Sequence, residues 1–152
     1  LHETFRQHDI IKQYTAICHH RPPEFQGRIE LEVARSHEQQ SGTKMRVETG
    51  GRRAKSTYRI AEYHDDLCRV EVFLETGITH QIRVQMAHIG APIVGDQRYG
   101  DLKLDQKVLK GVKNRLYLHA FHLSFPHPVK GKRIKIEAPE PGEFRELMRL
   151  SA

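Results

Sequence analysis

Residues 67–90 read LCRVEVFLETGITHQIRVQMAHIG, and a change of period inside them decides the fold class. Over 67–75 apolar and charged residues alternate. Val70, Val72 and Leu74 fall on one side, and Arg69, Glu71 and Glu75 on the other. That is the period of a half-buried strand. Thr76 and Gly77 interrupt it. Over 79–89 the apolar residues Ile82, Met86 and Ile89 recur at helical spacing, with Thr79 placed to cap the start and Gly90 to end the helix.

Working outward, Asp65-Asp66 predicts a hairpin turn joining the strand at 67–75 to another at 54–64. Residues 10–18 predict a strand with Lys12, Tyr14, Ala16 and Cys18 on one face and Ile11, Gln13, Thr15 and Ile17 on the other. Pro22-Pro23 breaks it, and a shorter strand follows at 28–33. Residues 1–9 read as the tail of a helix, and 37–51 as a polar, basic, mobile loop. Beyond Gly90 come a loop marked by Pro92, Gly95 and Gly100, then a charged stretch of helical character at 101–113. A strand apolar on both faces, hence central, is expected at 116–125 and a returning strand at 133–138. A closing helix at 142–150 carries Phe144, Leu147 and Met148. Strands outnumber helices and short turns join several of them. The expectation is an α+β fold: a mainly antiparallel or mixed β-sheet with a few short flanking helices.

The chain has 152 residues, enough for one domain with a core, and shows no repeat or dividing linker. Lys and Arg number 25 against 19 acids, a formal charge of +6 that favours a polyanionic partner such as RNA. No apolar run is long enough for a membrane-spanning helix. The two cysteines, Cys18 and Cys68, form no CxxC pair and point to a reduced, cytoplasmic protein. Cys18-His19-His20 invites a zinc reading, but neighbours on a strand face opposite ways and no second ligand pair has metal spacing, so no metal is expected. His119 shares a strand face with Tyr117, Phe121 and Leu123 and reads as a hydrogen-bonded core histidine. Asp96 reads as a turn or cap residue.

Arg83 is the odd residue. In the first turn of its helix a cation opposes the dipole at a cost of about 0.3–1 kcal/mol. Two readings stand: the side chain extends into water, or an anion is held near the helix start, gripped by the planar guanidinium. His80 lies three residues before it on nearly the same face, and no acid in the chain is an obvious local partner. Lys12 and Tyr14 form a second pair on one strand face, where a tyrosine can stack on a base and still offer a hydroxyl.

These pieces, in this order, carry a resemblance. Lys12-Gln13-Tyr14-Thr15-Ala16, Thr57-Tyr58-Arg59, Thr76-Gly77-Ile78-Thr79-His80-Gln81-Ile82-Arg83-Val84 and Ile89-Gly90-Ala91-Pro92-Ile93-Val94-Gly95-Asp96 follow one another in register. Tyr99-Gly100, Leu118-His119-Ala120 and His127-Pro128 continue the series. Along nearly its whole length the chain resembles the C-terminal part of the RluA-type pseudouridine synthases. That family isomerises uridine in rRNA or tRNA to its C-glycoside without a cofactor, by cutting the base from C1′, turning it and rejoining it through C5. The resemblance implies that Tyr14 stacks against the uracil and that Arg83 pairs with a catalytic aspartate, which would offset the dipole cost. The family's aspartate lies in a His-Arg-Leu-Asp type segment upstream of the Lys-x-Tyr strand. This chain contains no such segment, so alone it is expected to be a partial catalytic domain without activity, with the missing N-terminal part of the same protein as its partner. The family also carries arginine where Ile78 stands here.

Of the basic clusters, residues 46–55 are the favoured RNA contact: Arg46, Arg52, Arg53 and Lys55, with Lys12 and His80 beside the tyrosine. A solvated surface loop is the competing reading of the same stretch. The competing reading of the whole chain is an RNA-binding module without chemistry.

Overall fold

The computed structural model describes residues 10–36 and 43–151. The helix expected at 1–9 and the first part of the loop expected at 37–51 lie outside them. The core is a 7-stranded sheet in the order β3-β2-β4-β5-β1-β6-β7. Its strands are β1 (Ile11–His19), β2 (Gln26–Arg35), β3 (Met45–Val47), β4 (Arg52–His64), β5 (Leu67–Leu74), β6 (Leu118–Pro126) and β7 (Arg133–Glu137). Every pairing is antiparallel. Three helices accompany it: α1 (Gln81–His88), α2 (Leu102–Val108) and α3 (Gly142–Ser151).

The alternation along β1 and β5 assigns the two faces as expected. Ala16, Cys18, Cys68, Val70 and Val72 pack on one face with Ile82 and Met86 of α1. Ile17 and Leu67 pack on the other, under Phe144, Leu147 and Met148 of α3. These three residues are at most 2% exposed. Burying each of them contributes about 1.5–3 kcal/mol. β4 and β5 join through the Asp65-Asp66 turn, with Asp65 at φ 44°. β6, expected to be central, instead lies between β1 and the edge strand β7, and Ser124 is its one buried residue.

Two further expectations are corrected. Residues 37–51 are not all loop: Met45–Val47 pairs with Val33–Arg35 as the edge strand β3. Three residues with one buried side chain, Met45, are too few to show a period. Thr79, an exposed residue, does not cap α1. The N-cap is His80, in the left-handed region at φ 57°. The Gln81 side chain folds back to accept the Ile78 N–H at 3.1 Å, which ties the chain entering the helix to its first residue. The other end follows the sequence. Gly90, at φ 88°, donates to Ala87 O, and Ala91 donates to Met86 O, a Schellman closure.

The β1–β6 ladder ends at Ala16–Leu118. Beyond it the chain after α1 lies against the end of β1, with Val94 N donating to Ile17 O at 2.9 Å and His19 N to Pro92 O at 2.8 Å. Tyr117 N in turn donates to Val94 O at 2.9 Å. This inserted segment carries Asp96 up to α1.

Candidate active site

Helix α1 is held by glutamines rather than by its apolar stripe alone. Gln81 Nε2 donates to Lys55 O and Ser56 Oγ, each at 2.9 Å, and Gln81 Oε1 accepts from Thr76 Oγ at 2.6 Å. Gln85 Nε2 donates to Ala54 O at 3.1 Å and Ile29 O at 3.3 Å, while its Oε1 accepts from Ser56 Oγ. All three of Gln81, Ser56 and Gln85 are buried, so the network's full satisfaction is what makes it stabilising. Sequence reading missed it, since glutamines at i and i+4 look like an ordinary polar face. With Gln81, Ile82, Val84, Gln85 and Met86 all buried, Arg83 is left on the open side of the helix.

Arg83 has a local acid after all, which corrects the expectation from sequence. Its Nε donates to Asp96 Oδ2 at 3.0 Å and its Nη2 to Asp96 Oδ1 at 2.8 Å, a side-on fork between residues 13 apart. Asp96 is also the turn residue it was expected to be, since Oδ1 accepts the Arg98 and Tyr99 amides at 3.0 and 3.1 Å. Burial pushes the Asp96 carboxyl up, but the Arg83 guanidinium and those two amides outweigh it and hold it below the usual carboxylate range. The Asp96 hydrogen bond likewise raises the Arg83 pKa. A first-turn cation is thus tolerated because a buried carboxylate neutralises it. The fork engages Nε and Nη2, and no bond of Nη1 occurs among the described residues.

Tyr14 stands in the middle of the sheet, opposite Val72 of β5 and Ala120 of β6, at a break in register between Gln13 and Tyr14. It is half-buried, and its hydroxyl has no partner among the described residues. Tyr14 and Arg83 line one cleft of about 290 Å³, together with His80, Gln81 and the apolar side chains of Leu74, Ile78, Ile82, Leu116 and Leu118. Ile78, where the resemblance expects arginine, is 7% exposed and packs with Val33, Met45, Ala54 and Val84. An apolar slot with an aromatic ring and a fixed guanidinium is suited to a flat, polar-rimmed heterocycle.

Tyr99, part of the resemblance but given no role there, ties the cleft to β3. Its hydroxyl accepts the Met45 N–H at 2.8 Å and lies 2.7 Å from His80 Nδ1. Its ring lies 5.1 Å from the Arg83 guanidinium carbon, a cation–π contact.

The other expected site residues are spread more widely. Lys12 adjoins the cleft: it lines the neighbouring groove with Tyr14, Leu123 and Ile136, and its Nζ lies 3.1 Å from where a Cβ on Gly77 would stand. Arg46 pairs with Glu48 at 2.7 Å. Arg52 is exposed at the start of β4. Arg53 lies 3.4 Å from Glu30, in a row of charges that also contains Arg28 and Glu75. Strand alternation puts Arg53 and Lys55 on the sheet face opposite Ser56 and Tyr58, and so opposite Tyr14. His119 bonds to no acid among the described residues; its Nε2 lies 2.9 Å from Ala138 O.

Comparison with known proteins gives the family. The family model described as RNA pseudouridylate synthase matches residues 1–88. The ribosomal large subunit pseudouridine synthase C of Buchnera aphidicola subsp. Schizaphis graminum is 34% identical over 149 residues, 97% of this chain and 48% of that protein. The ribosomal large subunit pseudouridine synthase D of Xanthomonas campestris pv. campestris is 46% identical over 113 residues, 69% of this chain and 34% of that protein. The chain belongs to the RNA pseudouridylate synthase family. It spans about half the length of the curated relatives it matches. Human RNA pseudouridylate synthase domain containing 1 superposes with a TM-score of 0.76 at 23% identity, over 92% of this chain and 58% of that one, a likeness of fold.

Proposed function

We propose that this chain is the uracil-holding part of an RNA pseudouridine synthase acting on rRNA or tRNA in the cytoplasm. The observation that carries the reading is the convergence of Tyr14 and Arg83, far apart in sequence, on one apolar cleft. In this reading Tyr14 stacks on the target uracil once the nucleotide is turned out of its RNA strand. Arg83, held flat by Asp96, orients the attacking aspartate through its remaining donors. Asp96 itself is not the nucleophile, being buried and committed to Arg83 and two amides. The attacking acid comes from the rest of the protein, and the reaction needs no cofactor. The acid bonds to C1′ as the C1′–N1 bond breaks; the turned base then bonds to C1′ through C5 and expels the carboxylate, while C5 gives up its proton and N1 takes one up.

Full-length protein incubated with RNA tritiated at uracil C5 should release tritium to water, because that proton leaves when the C1′–C5 bond forms. Folded protein that binds the RNA yet releases none from any structured rRNA or tRNA would favour the module without chemistry.

A further inference from the structure

His80 departs from local rules in two ways. Its backbone is left-handed, φ 57° and ψ 23°, a conformation that costs a non-glycine residue roughly 1–2 kcal/mol. Its side chain, although at the N-cap, makes no capping bond to its own helix. It turns instead to Tyr99, with Nδ1 2.7 Å from the phenolic oxygen. That oxygen already accepts the Met45 N–H at 2.8 Å, which leaves its own proton available for donation to Nδ1. A neutral imidazole accepting at Nδ1 carries its proton on Nε2. Nε2 has no hydrogen-bond partner among the described residues, and His80 lines the cleft with Tyr14 and Arg83.

The surroundings keep the ring neutral. Burial lowers the His80 pKa first, Arg83 of its own helix and Arg98 of the following loop lower it further, and Asp96 opposes them without reversing the sign. The side chain therefore offers a donor and no net charge. A phosphate would favour the protonated ring; a carbonyl oxygen suits the neutral one.

We propose that Nε2–H of His80 recognises the O4 carbonyl oxygen of the uracil seated against Tyr14, which makes His80 a base-specificity residue. The inference rests on the function proposed above. A donor at this point rejects an amino group in the same place, as at cytosine, because two donors face each other with no acceptor between them. The strained backbone is retained because it brings the ring to Tyr99 and the cleft together.

The test uses the full-length protein with its histidines labelled with nitrogen-15. Near pH 7 the free protein should show His80 protonated at Nε2 and bare at Nδ1, and the Nε2 signal should move when uridine-containing substrate RNA is added. Tyr99→Phe should lose the single tautomer. His80→Ala should raise KM and weaken RNA binding about five- to tenfold, with kcat much less affected. His80→Asn, which keeps a neutral N–H and tolerates a left-handed backbone, should recover most of that loss. A proton on Nδ1, a charged ring in the RNA complex, or unchanged KM and binding in a folded His80→Ala protein would each overturn the proposal. Parent protein that binds RNA without isomerising it would overturn the proposed function alone, while the tautomer and the binding loss still decide the donor.

Discussion

Arg83 and Asp96 meet side-on, Nε to Oδ2 at 3.0 Å and Nη2 to Oδ1 at 2.8 Å, with side chains 17% and 1% exposed. A helix that begins with a cation and no first-turn acid thereby gains its counter-charge from the loop that follows it. The fork also fixes the plane of the guanidinium at the cleft.

Asp96→Ala should destabilise the fold by about 2–4 kcal/mol, because it strands the Arg83 donors together with the Arg98 and Tyr99 amides. Urea unfolding would show this as a lower midpoint with an unchanged slope. Asp96→Asn should cost less, since the amide oxygen can still accept one arm of the fork.

The same pair sets an acid dependence. Asp96 has a folded pKa below its unfolded value of about 3.9, so its contribution is complete above that value and is lost as pH falls through the folded one. The stability difference between parent and Asp96→Asn should be level above roughly pH 5 and should shrink towards lower pH. A difference that instead grew on acidification would contradict the assigned sign.

Two left-handed glycines should respond differently to alanine. Gly90, at φ 88°, has open space where a Cβ would go, so Gly90→Ala should cost only about 1 kcal/mol for the backbone strain. At Gly95, φ 81°, a Cβ would fall 1.7 Å from Arg115 O. Gly95→Ala must move the segment that carries Asp96, and thermal melts should place it at least about 3 kcal/mol below the parent.

Tyr14→Phe should leave stability within about 0.5 kcal/mol, since the hydroxyl has no partner among the described residues and the ring is kept. Tyr14→Ala in the full-length protein should abolish measurable tritium release while the fold persists by circular dichroism. Retained isomerisation in Tyr14→Ala would remove the tyrosine from the mechanism.

Cys18 and Cys68 stand opposite each other on β1 and β5, both buried. Burial, with the neighbouring Cys68 adding to it, pushes the Cys18 thiol well up. Burial also pushes the Cys68 thiol up to about 12. Thiolate is the reactive form, so neither should be alkylated at neutral pH until the sheet opens. Labelling that follows global unfolding in a urea series would bear this out.

The sequence by itself determined the elements whose cause is local. Alternation over 67–75 marked β5 and its buried side, the spacing of Phe144, Leu147 and Met148 marked α3, and Gly90 marked the end of α1. Each signal depends on near neighbours in the chain, and neighbours are visible in a string of letters. Only the tertiary structure decided the rest. Asp96 meets Arg83 because residues 92–94 lie against the end of β1 where its ladder with β6 stops. Gln81 and Gln85 turn inward because backbone carbonyls of β2 and β4 await them. Arg53 and Lys55 fall on the face away from Tyr14 because of the register of β4 against β5. Such partnerships depend on which strands lie side by side and in what register, and a one-residue shift would exchange every face.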